Sequence, residues 1–251
     1  MKALLVGDVH GDIPGLERIR EQIKPKDYDM VFLVGDFSRK GQPEMMNARD
    51  VNAILDVFKD FRVKAIPGNN DHPGMLDILA RRDANLHFKG MEYGGRHVIG
   101  YGGGIIAPGG GSGMNYYNTE EAALRDLNEL FDAAKSKPTI LVSHVPPFGT
   151  GLDMTPQGSH NGSRAVLQVI KDRQPEIVIC GHNHPGVGME EMGATTVWNI
   201  GAAFEAGAFG MEVGKDIKVV PLGLQRLSVD DIERNLPGMQ GGRDSGLNLS
   251  R

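Results

Sequence analysis

The chain has 251 residues, with 27 Lys and Arg against 32 Asp and Glu, and Cys180 is its single cysteine. A formal net charge of -5 disfavours a protein that binds polyanions through a broad basic surface. The lone cysteine excludes an intrachain disulfide framework and a cysteine-based zinc site. No apolar run reaches the ~18–20 residues of a membrane-spanning helix. Because the first apolar stretch is interrupted at Gly7, no signal peptide is predicted, and we expect a cytoplasmic protein.

Apolar runs typical of strands buried on both faces recur along the chain, and polar residues follow each one directly. In chain order these runs cover residues 3–6, 30–34, 63–66, 139–142 and 176–180. Helical spacing of apolar residues lies between most of them, at residues 14–23, 47–60, 118–135 and 163–173. The alternation predicts an α/β fold with a mostly parallel central sheet. Further along the chain, a second, antiparallel sheet is predicted from the short runs at residues 194–200, 208–213 and 217–222.

The domain organisation follows from composition. Residues 1–225 are predicted to form one domain, and residues 226–251 a C-terminal extension that is partly disordered, because the end of the chain is rich in glycine and polar residues. Residues 100–113 form a glycine-rich loop by composition. No Gly-Lys-Ser/Thr follows that loop, so it is not a P-loop.

The polar residues that follow the apolar runs are the candidate functional residues. In an open parallel sheet, ligands gather beyond the carboxyl ends of the strands. These ends carry Asp8 and His10, Asp36, Asn69 and Asn70, His144, and His182 and His184. Imidazole nitrogens and carboxylate oxygens bind divalent metals. Taken singly, each motif also fits a helix cap, a turn or a buried polar residue, and the Gly-His-x-His pair is the most specific of them.

Taken together and in this order, the motifs resemble those of the calcineurin-like metallophosphoesterase superfamily, from Ala3 to about Asn199. The resemblance implies a four-layer αββα sandwich, in which two mixed β-sheets are flanked by helices. It also implies two divalent metal ions bridged by Asp36. The remaining ligands would be Asp8, His10 and His184 for one ion, and Asn69, His144 and His182 for the other. Mn²⁺ is the first choice of metal, and Fe, Zn and Ni are the alternatives, because these ligand types do not select among them.

The resemblance implies hydrolysis of phosphoesters by in-line attack of a hydroxide that bridges the two ions. One position departs from the family pattern, because Asn70 stands where many members have a histidine. An amide cannot deliver a proton, although Asn70 can donate a hydrogen bond to a phosphoryl oxygen. His160 is the first candidate to replace the missing histidine, and His72 is the second. The departure favours phosphodiesters or activated phosphomonoesters over unactivated monoesters.

Two other functions are compatible with the same motifs. One is a non-catalytic scaffold on the metallophosphatase fold, and the other is a nuclease that acts on single-stranded nucleic acid. The acidic composition favours a small phosphoester substrate over extended nucleic acid, and no membrane partner is expected. A homo-oligomer is compatible with the sequence. Asp12 is expected to cap a helix, and Asp71 to orient a ligand or its own loop.

Overall fold

The computed structural model describes residues 1–105, 116–135 and 139–222. The predicted C-terminal extension, 226–251, lies outside the described residues, as does the part of the glycine-rich loop from residue 106 to residue 113. Within the described residues, no helix has the length and apolar character needed to cross a membrane.

The described residues alternate between helices and strands. The helices are α1 (Ile13–Glu21), α2 (Glu44–Val57), α3 (Met75–Arg81), α4 (Glu120–Ala133), α5 (Arg164–Arg173) and α6 (Ala203–Ala206). The strands are β1 (Lys2–Val6), β2 (Met30–Val34), β3 (Val63–Ile66), β4 (Lys89–Tyr93), β5 (Arg96–Tyr101), β6 (Gly104–Ile105), β7 (Tyr117–Asn118), β8 (Thr139–Ser143), β9 (Ile177–Cys180), β10 (Gly188–Met192), β11 (Thr195–Asn199), β12 (Phe209–Val213) and β13 (Ile217–Pro221). The four helical segments predicted from the sequence correspond to α1, α2, α4 and α5. The elements that were not predicted are α3, α6, β4, β5, β6, β7 and β10.

Two mixed sheets form the centre of the molecule. The first sheet has the strand order β13-β12-β1-β2-β3, and the second has the order β10-β11-β9-β8-β5-β4. β1, β2 and β3 are parallel to one another, as are β5, β8, β9 and β11. Antiparallel strands complete the sheets, with β12 and β13 in the first and β4 and β10 in the second.

This topology corrects two expectations. The expectation that the five apolar runs belong to one central sheet was wrong, because these runs divide between the two sheets. The prediction of a separate antiparallel sheet near the end of the chain was also wrong, because β11 joins the second sheet while β12 and β13 extend the first. The pattern of apolar residues indicates whether a strand is buried on one face or both, but it does not indicate which strand lies next to it.

The continuous apolar runs are explained by burial on both faces of each sheet. On β2, Phe32 and Val34 face the core between the two sheets, whereas Val31 and Leu33 pack against α1, α2 and α3. The second sheet has the same alternation, and its outer face packs against α4 and α5. Since side chains alternate along a strand, both halves of each run are buried. The molecule is therefore the four-layer αββα sandwich that the resemblance implied.

The core between the sheets makes a stability prediction. Phe32 is fully buried, and its ring lies edge-on to Tyr93 of the second sheet, with centroids 5.7 Å apart. Phe32→Ala should lower the free energy of unfolding by about 3–5 kcal/mol, because it leaves a cavity between the sheets. Urea unfolding followed by circular dichroism measures the change. Met45→Ala is the control, since Met45 is 77% exposed and its loss should cost less than about 0.5 kcal/mol. Equal effects of the two substitutions would contradict this account of the core.

Candidate metal centre

The loops that follow β1, β2, β3, β8 and β9 meet at one end of the sandwich. Backbone hydrogen bonds continue between these loops beyond the strands. His10 N donates to Asp36 O at 2.9 Å, which joins the loops after β1 and β2. Gly181 N donates to His144 O at 3.0 Å, which joins the loops after β9 and β8. His182 N donates to Asp8 Oδ2 at 3.1 Å, which joins the loops after β9 and β1 and so connects the two sheets. The carboxyl ends of the two sheets therefore lie side by side.

Left-handed backbone turns the candidate ligands inward. Asp8, His10, Asp36 and His182 have φ values of 48°, 50°, 50° and 68°. Residues other than glycine adopt this region infrequently, at a cost of order 1–2 kcal/mol each. Such conformations persist where the surrounding structure enforces them, and they concentrate at functional sites.

One group of donors consists of Asp8, His10 and His184. The Nε2 atoms of His10 and His184 lie 3.2 Å apart. The Oδ1 atom of Asp8 is 3.4 Å from His184 Nε2 and 3.9 Å from His10 Nε2. A carboxylate oxygen and two imidazole nitrogens therefore converge on a space that suits a single cation.

A second group surrounds the side-chain oxygen of Asn69. Asn69 Oδ1 is 2.7 Å from His182 Nδ1 and 3.0 Å from His144 Nε2. The Nε2 atom of His144 is also within 3.5 Å of Asp36 Oδ1. An amide oxygen, a carboxylate and two imidazoles meet here, and this set also fits a divalent metal.

Asp36 lies between the two groups. Its Oδ1 atom faces His144, and its Oδ2 atom is 3.7 Å from His10 Nε2. Asn70 holds this carboxylate in place, because the backbone N of Asn70 donates to Oδ1 at 2.8 Å and its side-chain Nδ2 donates to Oδ2 at 2.6 Å. In the structure Asn70 therefore positions a carboxylate, a role that the sequence analysis did not anticipate.

Backbone carbonyls set the orientation of two imidazole rings. His144 Nδ1 lies 2.8 Å from Val34 O, and His10 Nδ1 lies 3.1 Å from Ser38 O. A carbonyl oxygen only accepts hydrogen bonds, so each Nδ1 carries the proton and donates it. The lone pair of each Nε2 then faces the centre, as a metal ligand requires.

The electrostatics of the centre favour a cation. The Asp8 and Asp36 side chains are buried, and within the described residues no lysine or arginine pairs with either. Burial raises the pKa of Asp36. Burial opposes ionisation of Asp8 as well, but the hydrogen bond from His184 and the charge of His144 outweigh it and lower the pKa of Asp8.

The histidines show the complementary behaviour. Burial lowers the pKa of His182 to about 3, with the charge of His144 adding to the effect, so His182 is neutral at pH 7. Burial also opposes protonation of His144, but the charges of Asp36 and Asp8 prevail and raise the pKa of His144. Two buried carboxylates surrounded by imidazoles, with no basic side chain paired to them in the described part of the chain, form a donor set that fits divalent cations.

Asp71 ties two of the loops together from behind. It is fully buried and accepts hydrogen bonds from Gly68 N at 2.7 Å, Phe37 N at 2.9 Å and Ser38 N at 3.1 Å. Burial and the charge of Asp36 raise its pKa to about 7. Asp71 thus joins the loop that carries Asn69 to the loop that carries Asp36.

The other predicted residues lie outside the two donor groups. His160 is on the loop before α5, where its Nδ1 lies 2.7 Å from Asp153 Oδ1. His72 accepts a hydrogen bond from Gly74 N just before α3 and lies 3.8 Å from Glu44. Asp12 caps α1 as expected, accepting from Gly15 N at 3.2 Å.

Sequence reasoning missed two residues near the site. Phe204 of α6 lies against the rings of His10 and His184, with centroid distances of 6.1 and 5.6 Å. No sequence pattern indicates Phe204. It reaches the site because α6 precedes β12, and β12 pairs with β1. Asp153 carries a detectable signal, since Thr150 and Asp153 have the spacing of a capping box and form one in the structure.

Comparison with known proteins gives an independent view of this fold and site. The family model described as calcineurin-like phosphoesterase matches residues 1–186. A search of curated protein sequences gives no significant match.

Solved structures share the architecture at low sequence identity. TT1561 of Thermus thermophilus is 20% identical with a TM-score of 0.66, over 89% of this chain and 99% of that chain. A dimetal phosphatase from Danio rerio, LOC 393393, is 13% identical with a TM-score of 0.63, over 88% of this chain and 98% of that one. The phosphopantetheinyl hydrolase PptH from Mycobacterium tuberculosis is 14% identical with a TM-score of 0.52, over 80% and 89% of the two chains. At these identities the likeness concerns the fold.

A four-layer sandwich with clustered carboxylate and imidazole donors at the strand ends defines a metallophosphoesterase. The chain belongs to the calcineurin-like phosphoesterase family.

The position of Asp71 predicts an effect on metal affinity. Asp71 uses one oxygen for Gly68 N and the other for Phe37 N. In Asp71→Asn one of these oxygens becomes an NH₂ group, which cannot accept a hydrogen bond, so the link between the loops of Asp36 and Asn69 should be lost. We expect Mn²⁺ affinity to fall by about 10–100-fold, measured by isothermal titration calorimetry. Asp77→Asn, on the exposed face of α3, is the matched control and should bind Mn²⁺ like the wild type. Unchanged affinity in Asp71→Asn would show that this anchor is not needed.

Proposed function

We propose that this chain is a two-metal phosphoesterase that hydrolyses phosphodiesters or activated phosphomonoesters of small molecules. The observation that carries the proposal is the position of Asp36. Its two oxygens face His144 and His10, which belong to different donor groups. A carboxylate in this position can bridge two cations, and a bridged pair is the arrangement that clamps the attacking and leaving oxygens of a phosphoryl transfer.

The proposal assigns the ligands by their place in the two groups. Asp8, His10 and His184 would hold one ion, Asn69, His144 and His182 would hold the other, and Asp36 would contribute to both. When bound, two divalent ions activate the attacking water and offset the charge that develops on the phosphoryl oxygens. Mn²⁺ is the proposed metal, and this mixed nitrogen and oxygen donor set is also compatible with Fe, Zn and Ni.

The protein's own residues orient this chemistry. The carbonyls of Val34 and Ser38 keep the His144 and His10 rings turned inward. Asn70 fixes both oxygens of Asp36, so the bridging carboxylate is preorganised. Among the solved structures with this architecture is one described as a dimetal phosphatase, which supports the same reaction class for this chain.

The first experiment measures how fast metal-stripped protein hydrolyses two chromogenic substrates, with and without added Mn²⁺. Bis(p-nitrophenyl) phosphate should be hydrolysed in the presence of Mn²⁺, and faster than p-nitrophenyl phosphate. Asp36→Asn should lower this turnover by about a hundredfold or more, since it removes the shared ligand. Asp77→Asn should retain wild-type turnover. If the protein binds Mn²⁺ but hydrolyses neither compound, the proposal fails in favour of a non-catalytic scaffold.

Asn70 provides a test of the preference for diesters. An imidazole at this position could donate a proton or hold the phosphate, whereas the amide of Asn70 cannot act as an acid. We expect Asn70→His to raise the ratio of monoester to diester turnover by about tenfold or more. Asn70→Ala is the control, because it removes the side-chain hydrogen bond to Asp36 without adding an acid. If the histidine and alanine variants show the same ratio, Asn70 does not set the preference.

A further inference from the structure

A buried carboxylate lies close to the candidate metal centre but outside it. Asp153 is fully buried, and backbone N–H groups satisfy its oxygens. Thr150 N donates to Oδ1 at 2.9 Å, while Gly149 N and Gly162 N donate to Oδ2 at 3.1 and 3.0 Å. The carboxylate has a further partner in the imidazole of His160, whose Nδ1 lies 2.7 Å from Oδ1.

This contact fixes the orientation of His160. A carboxylate that already accepts backbone donors is an acceptor, so His160 Nδ1 carries the proton that it donates to Asp153. The opposite ring nitrogen, Nε2, has no hydrogen-bond partner among the residues that the structure describes. The His160 side chain is 29% exposed, so the imidazole is partly accessible to solvent. A buried carboxylate that orients a half-exposed imidazole is an arrangement suited to proton transfer.

The segment that carries this pair is fastened to the metal-ligand loop. Asn183, which lies between His182 and His184, donates through its side chain to Leu152 O at 2.8 Å and to Met154 O at 3.1 Å. Asn161 Nδ2 in turn lies 3.3 Å from Asn183 Oδ1. Asn183 therefore contacts both neighbours of Asp153 in the chain and the residue that follows His160.

The surroundings of His160 suit an anionic substrate. Its ring lies 5.4 Å from that of Phe148, on the loop that follows His144. The guanidinium of Arg164 lies over the same Phe148 ring, 3.8 Å from its centroid. An imidazole, an aromatic ring and a guanidinium thus lie side by side on segments that adjoin the loops of His144 and Asn183.

We propose that His160, oriented by Asp153, donates the proton to the leaving-group oxygen of the phosphoester, and this inference rests on the proposed function. As water attacks phosphorus and releases one proton to solvent, the bond from phosphorus to the leaving oxygen breaks. The leaving oxygen takes the proton from Nε2 of protonated His160 and departs as an alcohol or phenol. His160 becomes neutral and regains a proton from solvent, while Asp153 stays ionised and keeps the proton on Nδ1. His160 is thus a catalytic residue, and Asp153 is its positioning residue.

The test uses two diesters that retain the same phenyl group and differ only in the leaving group. In p-nitrophenyl phenyl phosphate the leaving nitrophenolate needs little protonation, whereas in diphenyl phosphate the leaving phenolate is more basic. His160→Gln should lower kcat for diphenyl phosphate by about 10²–10⁴-fold. For the nitrophenyl diester the loss should stay below about tenfold, and Asp153→Asn should show the same selectivity with a smaller loss.

His97→Gln is the matched control. The Nδ1 atom of His97 lies 3.3 Å from a carboxylate oxygen of Glu92, but His97 is near the start of β5, at the opposite end of the strand from the metal centre. This variant should keep wild-type kcat on both diesters. Calorimetry should also show unchanged Mn²⁺ affinity in His160→Gln, since His160 lies outside both donor groups.

Two results would overturn the inference, and they are distinguishable. If the wild type hydrolyses both diesters and His160→Gln loses the same factor on each, or loses nothing, then His160 does not protonate the leaving group and the proposed function stands. If the wild type hydrolyses neither diester with Mn²⁺ bound, the proposed function fails and this inference fails with it.

Discussion

The burial of two carboxylates, Asp8 and Asp36, at the meeting point of two sheets is the constraint on which the rest of the structure depends. Their exposed fractions are 0% and 2%. Removing a carboxylate from water costs several kcal/mol even after relaxation, unless charges or hydrogen bonds compensate it. Within the described residues imidazoles and amides meet this need, and divalent cations would complete it. The two carboxylates therefore need positive charge that no lysine or arginine of the described residues provides.

The backbone of the strand-end loops follows from this constraint. Asp8 and Asp36 face inward because each adopts a left-handed conformation. Glycine is required where backbone approaches these carboxylates, since a Cβ on Gly68 would overlap Asp36 Oδ1 and one on Gly181 would overlap Asp8 Oδ2. Strain of this kind is tolerable because the strands before these loops are fixed in a core buried on both faces. The packing of the sandwich thus stabilises a local geometry that the loops would not adopt alone.

The sequence predicted most of the strands. Strands such as β1, β2, β8 and β9 are buried on both faces, so they form continuous apolar runs that are easy to recognise. It missed β4, where Lys89, Gly90 and Glu92 are exposed on an edge strand and leave no alternation to detect. The polar residues after each apolar run predicted where the candidate ligands lie in the chain. The partners that orient them could not be predicted in this way. The carbonyls of Val34 and Ser38 belong to no side-chain pattern, and the pairing of the sheets that brings Phe204 to His10 is a property of the whole fold.

The two sheets contribute different chemistry to the centre. The loops of the first sheet carry the carboxylates of Asp8 and Asp36, the amides of Asn69 and Asn70, and one imidazole, His10, whereas the loops of the second carry only imidazole ligands, His144, His182 and His184. Attraction between carboxylates and imidazoles therefore acts across the gap between the sheets, and it lowers the pKa of Asp8 while raising that of His144, in each case against the effect of burial. Asn70 fits this division, because an amide donates hydrogen bonds to Asp36 without adding a titratable group beside it. The acid that we propose for the leaving group lies on the side of the second sheet, because Asn183 fixes the segment that holds His160.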